Sequence, residues 1–159
     1  MKSEKTNVMR LLDAAKIDYE AFEYDAEKYV SGVEVAKALG EDEDALFKTL
    51  VTYSEKAREH FVFCIPSAYE LDLKKAAEAA GVKDIEMIRQ KELLPLTGYV
   101  HGGCSPIGMK KQFKTIIDES ALIFERIYVS AGKRGYQVCL KVEDLVKAAN
   151  AELKDVVKL

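Results

Sequence analysis

Between Gly98 and Lys114 the chain reads Gly-Tyr-Val-His-Gly-Gly-Cys-Ser-Pro-Ile-Gly-Met-Lys-Lys-Gln-Phe-Lys, and this run holds four of its nine glycines. Glycine without a Cβ lets the backbone turn through positive φ and lets a ligand approach the main chain closely. Pro106 stiffens one point of the run and removes one donor. Lys110, Lys111 and Lys114 follow at once. Exposed amides running into a cationic patch suit a phosphate, or a carbonyl oxygen that gains charge during a reaction. A tight turn between two strands would use the same residues.

Lys48 is the most unusual single side chain. In Leu46-Phe47-Lys48-Thr49-Leu50-Val51 it shares a face with Leu46 and Leu50 by the period of two, and Phe47 and Val51 fall on the opposite face. Both faces read as buried, where lysine is rare. Its ammonium either snorkels out from an edge or points into a pocket, where it would hold an anion or a polarised carbonyl more strongly than in water. Ser130-Ala-Gly132-Lys133-Arg134-Gly135 is a second turn of small residues with cations at its tip. It reads as a hairpin end or as a second wall of an anion site, with Ser130 as a donor. Cys104 could serve as a nucleophile, but neither His60 nor His101 forms a Cys–His signature with it. Two histidines and three scattered cysteines give no metal-ligand spacing and no disulfide framework. No metal and no cofactor are expected.

The elements that must position these residues follow from periodicity and punctuation. Thr6 to Ala15 carries a helical stripe, and Ile17 to Tyr24 reads as a strand. Ser31 to Glu34 is a capping box whose helix stops at Gly40. Leu46 to Tyr53 and Phe61 to Ile65 are strands joined by a charged turn, and Asp72 opens a helix over Leu73 to Ala80. Ile85 to Ile88 reads as a short strand and Gln90 to Leu94 as a helical turn limited by Pro95. Thr115 to Asp118, Ile127 to Ser130 and Tyr136 to Leu140 read as strands, and Lys141 to Leu159 as mostly helix. The order predicts an α+β fold: a single domain spanning residues 1–159, with a mixed, mostly antiparallel sheet or a partly closed barrel flanked by helices.

The 159 residues suffice for one proper core, and 48% apolar with 32% charged content is ordinary for a globular protein. No run is apolar enough to span a membrane, and the charged start Met1 to Lys5 lacks a signal core, so a cytoplasmic protein is expected. The net charge of −3 conceals a division. Residues 1–97 hold 14 Lys+Arg against 20 Asp+Glu, and residues 98–159 hold 10 against 7, so the basic face lies with the glycine run. Such a local field can attract a polyanion to an acidic protein.

Five ordered blocks carry a resemblance. They are Phe47-Lys48-Thr49-Leu50; Leu71-Asp72-Leu73-Lys74-Lys75; Thr97-Gly98-Tyr99 with Gly102-Gly103, Ser105-Pro106, Gly108 and Lys110-Lys111; Thr115-Ile116-Ile117-Asp118; and Ile127-Tyr128-Val129-Ser130 with Gly132-Lys133-Arg134-Gly135. The chain resembles the YbaK/EbsC proteins, free-standing relatives of the editing domain inserted in bacterial prolyl-tRNA synthetases, from about Val8 to Ala149. It looks most like their Cys-tRNA(Pro) deacylase branch. The resemblance implies a YbaK-like fold and trans-editing hydrolysis of mischarged Cys-tRNA(Pro), with Cys-tRNA(Cys) as a second substrate. The substrate's own thiol would attack the ester. Lys48 would hold the tRNA 3′ end, while Gly102 and Gly103 would line the aminoacyl pocket through their backbone groups. Ser105, Pro106, Gly108, Ser130 and Gly132 would complete the substrate site. Lys110, Lys111, Lys114, Lys133 and Arg134 would meet tRNA phosphates, and prolyl-tRNA synthetase would be a partner. Gln137 stands where the family often has aspartate, and Tyr29-Val30-Ser31 where some members have a phenylalanine. A water-driven deacylase for Ala-tRNA(Pro) and a non-catalytic tRNA- or synthetase-binding module are the alternatives. A nucleotide site is disfavoured, because the Gly-x-x-x-x-Gly-Lys-Ser/Thr pattern is missing.

Overall fold

The computed structural model describes residues 5–159, so residues 1–4 of the charged start lie outside the described part. The strands form two sheets, neither closed on itself. Strands β2 (Phe47–Ser54) and β3 (Glu59–Pro66) are antiparallel, with Lys48 opposite Ile65. Strand β5 (Lys114–Asp118) runs parallel to β3. The two-residue strand β4 (Glu86–Met87) lies beside β2, and β8 (Ala151–Lys154) beside β5, which completes five strands in the order β4-β2-β3-β5-β8. The second sheet is the antiparallel set β1 (Tyr19–Glu23), β7 (Tyr136–Lys141) and β6 (Arg126–Ser130), with β7 in the centre. The fold is thus α+β with mixed, mostly antiparallel sheets, and the barrel alternative is excluded.

Two details of this topology make the site. Strand β4 covers β2 only at Thr52 and Tyr53, which leaves the Lys48 end of β2 without a partner on that edge. There a single parallel bridge, Leu46 to Tyr128, joins the two sheets. Two residues further along each strand stand Lys48 and Ser130, which residues on opposite sides of a parallel bridge bring together on one face. Apolar flanks hold this arrangement. Phe47 and Val51 are buried in the main cluster with α1 (Asn7–Ala14), and Leu46 in a smaller cluster with Tyr128 and Val35.

Local chemistry sets the helices. Ser31 caps α2 (Gly32–Leu39) by accepting from the Glu34 amide, the Glu34 carboxylate accepts from the Ser31 amide, and Gly40 ends the helix left-handed. Asp72 caps α3 (Leu73–Ala80) and Gly81 ends it. Two readings of the sequence need correction. The helix α4 (Gln90–Thr97) runs through Pro95, because the Thr97 hydroxyl donates to the Leu93 carbonyl and Gly98, at φ 87°, closes the end by donating to Leu94. The last nineteen residues are not one helix: α5 (Val142–Ala149) stops at Asn150, whose φ of 51° is left-handed, and β8 follows. Asparagine is the commonest substitute for glycine at such a stop. Strand β8 keeps the alternation of half-buried Ala151 and Leu153 with exposed Glu152 and Lys154.

Candidate active site

The gap between the sheets is a cavity of about 310 Å³, lined by Lys48, Gly102, Cys104, Ser130, Gln137 and His101 among others. That is at the small end of ligand pockets and suits a small side chain with its ester better than a bulky ligand. Strand β2 supplies Lys48, the glycine run supplies His101, Gly102 and Cys104, the β6–β7 pair supplies Ser130 and Gln137, and the start of α2 supplies Ser31 and Gly32.

Lys48 is half-buried and points to this cavity, not along a free edge. Burial pushes its pKa down from the ordinary lysine value, and the carboxylate of Glu70 opposes part of that shift. Among the lining residues it carries the one fixed charge, and none is a carboxylate. A lone ammonium with apolar strand on both sides is poorly screened, so it acts strongly on any charge that develops in the cavity.

The glycine run divides its labour in a way the sequence does not display. Gly102, at φ 87°, lines the cavity. Gly103 does not: its N–H donates to the Val100 carbonyl at 2.9 Å, and a Cβ there would stand 3.0 Å from the backbone nitrogen of Arg134. Gly103 therefore joins the run to the β6–β7 turn. Ser105 is fully buried and its hydroxyl accepts from the Ile107 amide, while Pro106 is buried beside it. Gly108 and Gly132 meet α1 and Tyr99, with Leu11, Val8 and the Tyr99 ring within about 3 Å of where a Cβ would be. The Tyr99 hydroxyl donates to the Ile107 carbonyl and locks this loop. Ser105, Pro106, Gly108 and Gly132 thus lie outside the cavity lining and shape it from behind.

The cations also separate. The Arg134 side chain lies along Gly102 at the cavity rim and donates to the Ala26 carbonyl at 3.1 Å. Lys133 stands over the Tyr136 ring, Lys111 over the Phe113 ring, and the Lys110 stem covers Gly98. Lys114 turns away, to the Ala80 carbonyl and Glu152.

No enzymic nucleophile is ready here. Cys104 is buried and its thiol is pushed up to about 12, first by burial and then by the neighbouring Cys64. A thiol held protonated is inert, since the thiolate is the nucleophile. Alkylation of Cys104 by iodoacetamide at pH 8 is expected to be slow in the folded protein and fast after unfolding; rapid native labelling would show an activated cysteine. The Ser130 hydroxyl accepts from the Gly132 amide at 3.1 Å, and Ser31 is occupied in its cap. The described residues contain no group of three or more His, Cys, Asp or Glu able to hold a metal ion, and no helix long and apolar enough to cross a membrane.

Of the wall residues, Tyr24 and Ser67 carry no motif; Ser31 was marked by its capping box, Thr49 by the block around Lys48, and Gln137 as a departure from the family pattern. Its register brings Gln137 to the site: it stands directly opposite Ser130 across β6–β7 and so shares its face. Gly32 was silent. A Cβ there would lie 2.1 Å from the Cβ of Ser67, which no rotamer change relieves. Gly32→Ala is therefore expected to destabilise by about 1–3 kcal/mol despite alanine's advantage of about 1 kcal/mol in a helix. A thermal melt unchanged or raised by the substitution would contradict this.

Comparison with known proteins defines the class. Residues 27–148 match the aminoacyl-tRNA editing domain, and the chain belongs to that family of editing enzymes. It is 44% identical over 154 residues, 96% of this chain and 93% of the relative, to the candidate Cys-tRNA(Pro)/Cys-tRNA(Cys) deacylase EbsC of Enterococcus faecalis. It is 31% identical over 103 residues to a proline–tRNA ligase of Shouchella clausii, covering 65% of this chain and 18% of the ligase. A crystal structure described as a candidate trans-editing enzyme for prolyl-tRNA synthetase superposes over the full length of both chains with a TM-score of 0.84 at 21% identity, which establishes the shared fold.

Proposed function

We propose that this protein is a trans-editing deacylase that hydrolyses Cys-tRNA(Pro), and Cys-tRNA(Cys) as a second substrate, with the substrate thiol as the nucleophile. The observation that carries the reading is a cavity with one lone ammonium, Lys48, beside the Gly102 backbone and with no activated side-chain nucleophile. Such a site supplies electrostatic stabilisation and leaves bond making to its guest. The cysteinyl sulfur attacks its own ester carbonyl, the bond to the 3′-terminal ribose oxygen breaks, and the thiol proton leaves to solvent as the ribose oxygen gains one. Water then opens the four-membered thiolactone to free cysteine. Lys48 and the Gly102 backbone face the developing oxyanion, and Ser130 stands beside Lys48 on the same face.

Arg134 at the rim, with Lys133, Lys110 and Lys111, fits the phosphates of the acceptor end. Lys114 has the weakest case for this role, being tied to Ala80 and Glu152. Binding through phosphates weakens steeply with salt. Prolyl-tRNA synthetase is the natural partner, because the cavity reads an amino acid and leaves the tRNA body to another protein. A tRNA substrate places the work in the cytoplasm.

Incubation with Cys-tRNA(Pro), Cys-tRNA(Cys), Ala-tRNA(Pro) and Ser-tRNA, with and without the synthetase, tests the reading. Release of cysteine, with the synthetase sharpening the choice of tRNA, is the expected result. Stable Cys-tRNA in every mixture would end the proposal. Cys104→Ala is expected to keep activity within a few-fold, because a thiol held near 12 takes no part in the chemistry. An inactive Cys104→Ala protein of unchanged melting temperature would make Cys104 the nucleophile.

A further inference from the structure

We infer that the carboxamide of Gln137 receives the α-amino group of the bound aminoacyl ester, and that this contact is what makes the site read an amino acid and not merely a thiol ester precursor. The inference rests on the deacylase reading above and assigns a residue to the part of the substrate that reading leaves unbound.

Gln137 is 6% exposed and sits on the central strand β7, opposite Ser130 on one side and Phe22 on the other. It lines the cavity, and its carbonyl oxygen is buried with no hydrogen-bond partner among the described residues. Buried side-chain acceptors are nearly always satisfied, and one left unpaired costs the full desolvation of the group. A donor brought in by a ligand removes that cost, so the oxygen favours a guest that carries N–H groups.

The other side-chain oxygens of the lining, on Tyr24, Ser31, Thr49, Ser67 and Ser130, are hydroxyls that donate as well as accept. Ser31 is engaged in its cap, Thr49 contacts the Cys64 sulfur at 3.6 Å, and Ser130 accepts from the Gly132 amide. The Ser67 hydroxyl is also buried and unpartnered, but it is a rotor that donates as readily as it accepts, and it lies against Gly32 at the start of α2. The Gln137 carbonyl can only accept. On this face Lys48 stands beside Ser130 and Gln137 one strand further on, so the donor Lys48 suits the ester oxygen and Gln137 lies away from it. The α-amino group has donors to offer and would be repelled by Lys48, so the wall that carries Gln137 is where it can be held. With no carboxylate in the lining, the acceptor is neutral, and no ion pair with Lys48 forms to weaken that side chain's hold on the oxyanion.

The test compares two esters of the same tRNA: cysteinyl, and 3-mercaptopropionyl, which has the same thiol at the same distance from the carbonyl and no amine. Both can undergo attack by their own sulfur. Each rate is divided by that of the same ester without protein, because the electron-withdrawing α-ammonium activates the cysteinyl ester and acidifies its thiol; on this scale the native protein is expected to favour the cysteinyl ester by roughly tenfold or more in kcat/KM, the size of one buried hydrogen bond to an amino group. Gln137→Ala and Gln137→Met, the second filling the space without an acceptor, are expected to lose this preference and to accelerate both esters by similar factors. Gln137→Glu, which keeps the acceptor, is expected to keep the preference. A residue that only supported the sheet, or that donated to the oxyanion, would slow both esters by the same factor. Equal acceleration of the two esters by the native protein, or a preference in acceleration that survives in whichever of the two acceptor-free variants folds, overturns the assignment. Failure of the native protein on both esters would overturn the deacylase reading itself, and is therefore distinguishable.

Discussion

Replacing Lys48 with alanine or methionine is expected to lower the rate of deacylation by about 10²–10³-fold while leaving the fold intact, which is the usual cost of removing one preorganised group from an oxyanion site. The melting temperature should not fall, because the ammonium is half-buried at a desolvation cost and no hydrogen bond of the fold depends on it. Two pH measurements separate this role from a strand residue's. Activity that needs the ammonium is lost as pH rises through the lowered pKa of Lys48, so the alkaline limb of kcat/KM begins below the ordinary lysine range. Stability moves the other way. Between the folded pKa and the unfolded one the unfolded chain binds more protons at this site, so the contribution of Lys48 to stability rises with pH across that window. Subtracting the profile of Lys48→Met from that of the native protein isolates both effects. Turnover that survives in Lys48→Met with its pH profile unchanged would reduce the lysine to a packing residue.

The importance of Lys48 was legible because a charge interrupts a strand that reads as apolar on both faces. The direction in which it points was not. That depends on β4 being only two residues long and on one bridge between Leu46 and Tyr128, contacts between segments far apart in the chain. The glycine run shows the same limit. Its composition announced a special backbone, but composition does not tell a glycine that faces a ligand from one that lets two loops touch. Gly102 is of the first kind and Gly103 of the second, although they are neighbours. Most elements were legible from their caps, as at Ser31 and Asp72. The carboxyl-terminal segment was misread because Asn150 did the work of a glycine and because β8 pairs in parallel with β5, which no local pattern reveals. Gly32 matters only through Ser67 opposite it, and Gln137, marked in the sequence as a departure from the family pattern, gains its place from Ser130 opposite it.

Cys-tRNA is expected to be cleaved, with Ser-tRNA and Ala-tRNA left at least about 10²-fold slower, even though serine and alanine both fit a cavity that accepts cysteine. Size does not make the distinction, since a smaller guest is never sterically excluded and only forfeits contacts. Chemistry does. A cysteinyl thiol with a pKa near 8.5 is a few per cent thiolate at neutrality, whereas a serine hydroxyl is hardly ionised and alanine has no nucleophile. The protein offers none in their place, because Cys104 is held protonated and the Ser130 hydroxyl is engaged by the Gly132 amide. The rate for Cys-tRNA should accordingly rise with pH towards the thiol pKa before the loss of the Lys48 charge brings it down. Methylation of the substrate sulfur separates recognition from reaction: S-methylcysteinyl-tRNA should compete for the cavity yet survive intact. Efficient release of alanine would instead require an activated water, and would transfer the chemistry from the guest to the protein.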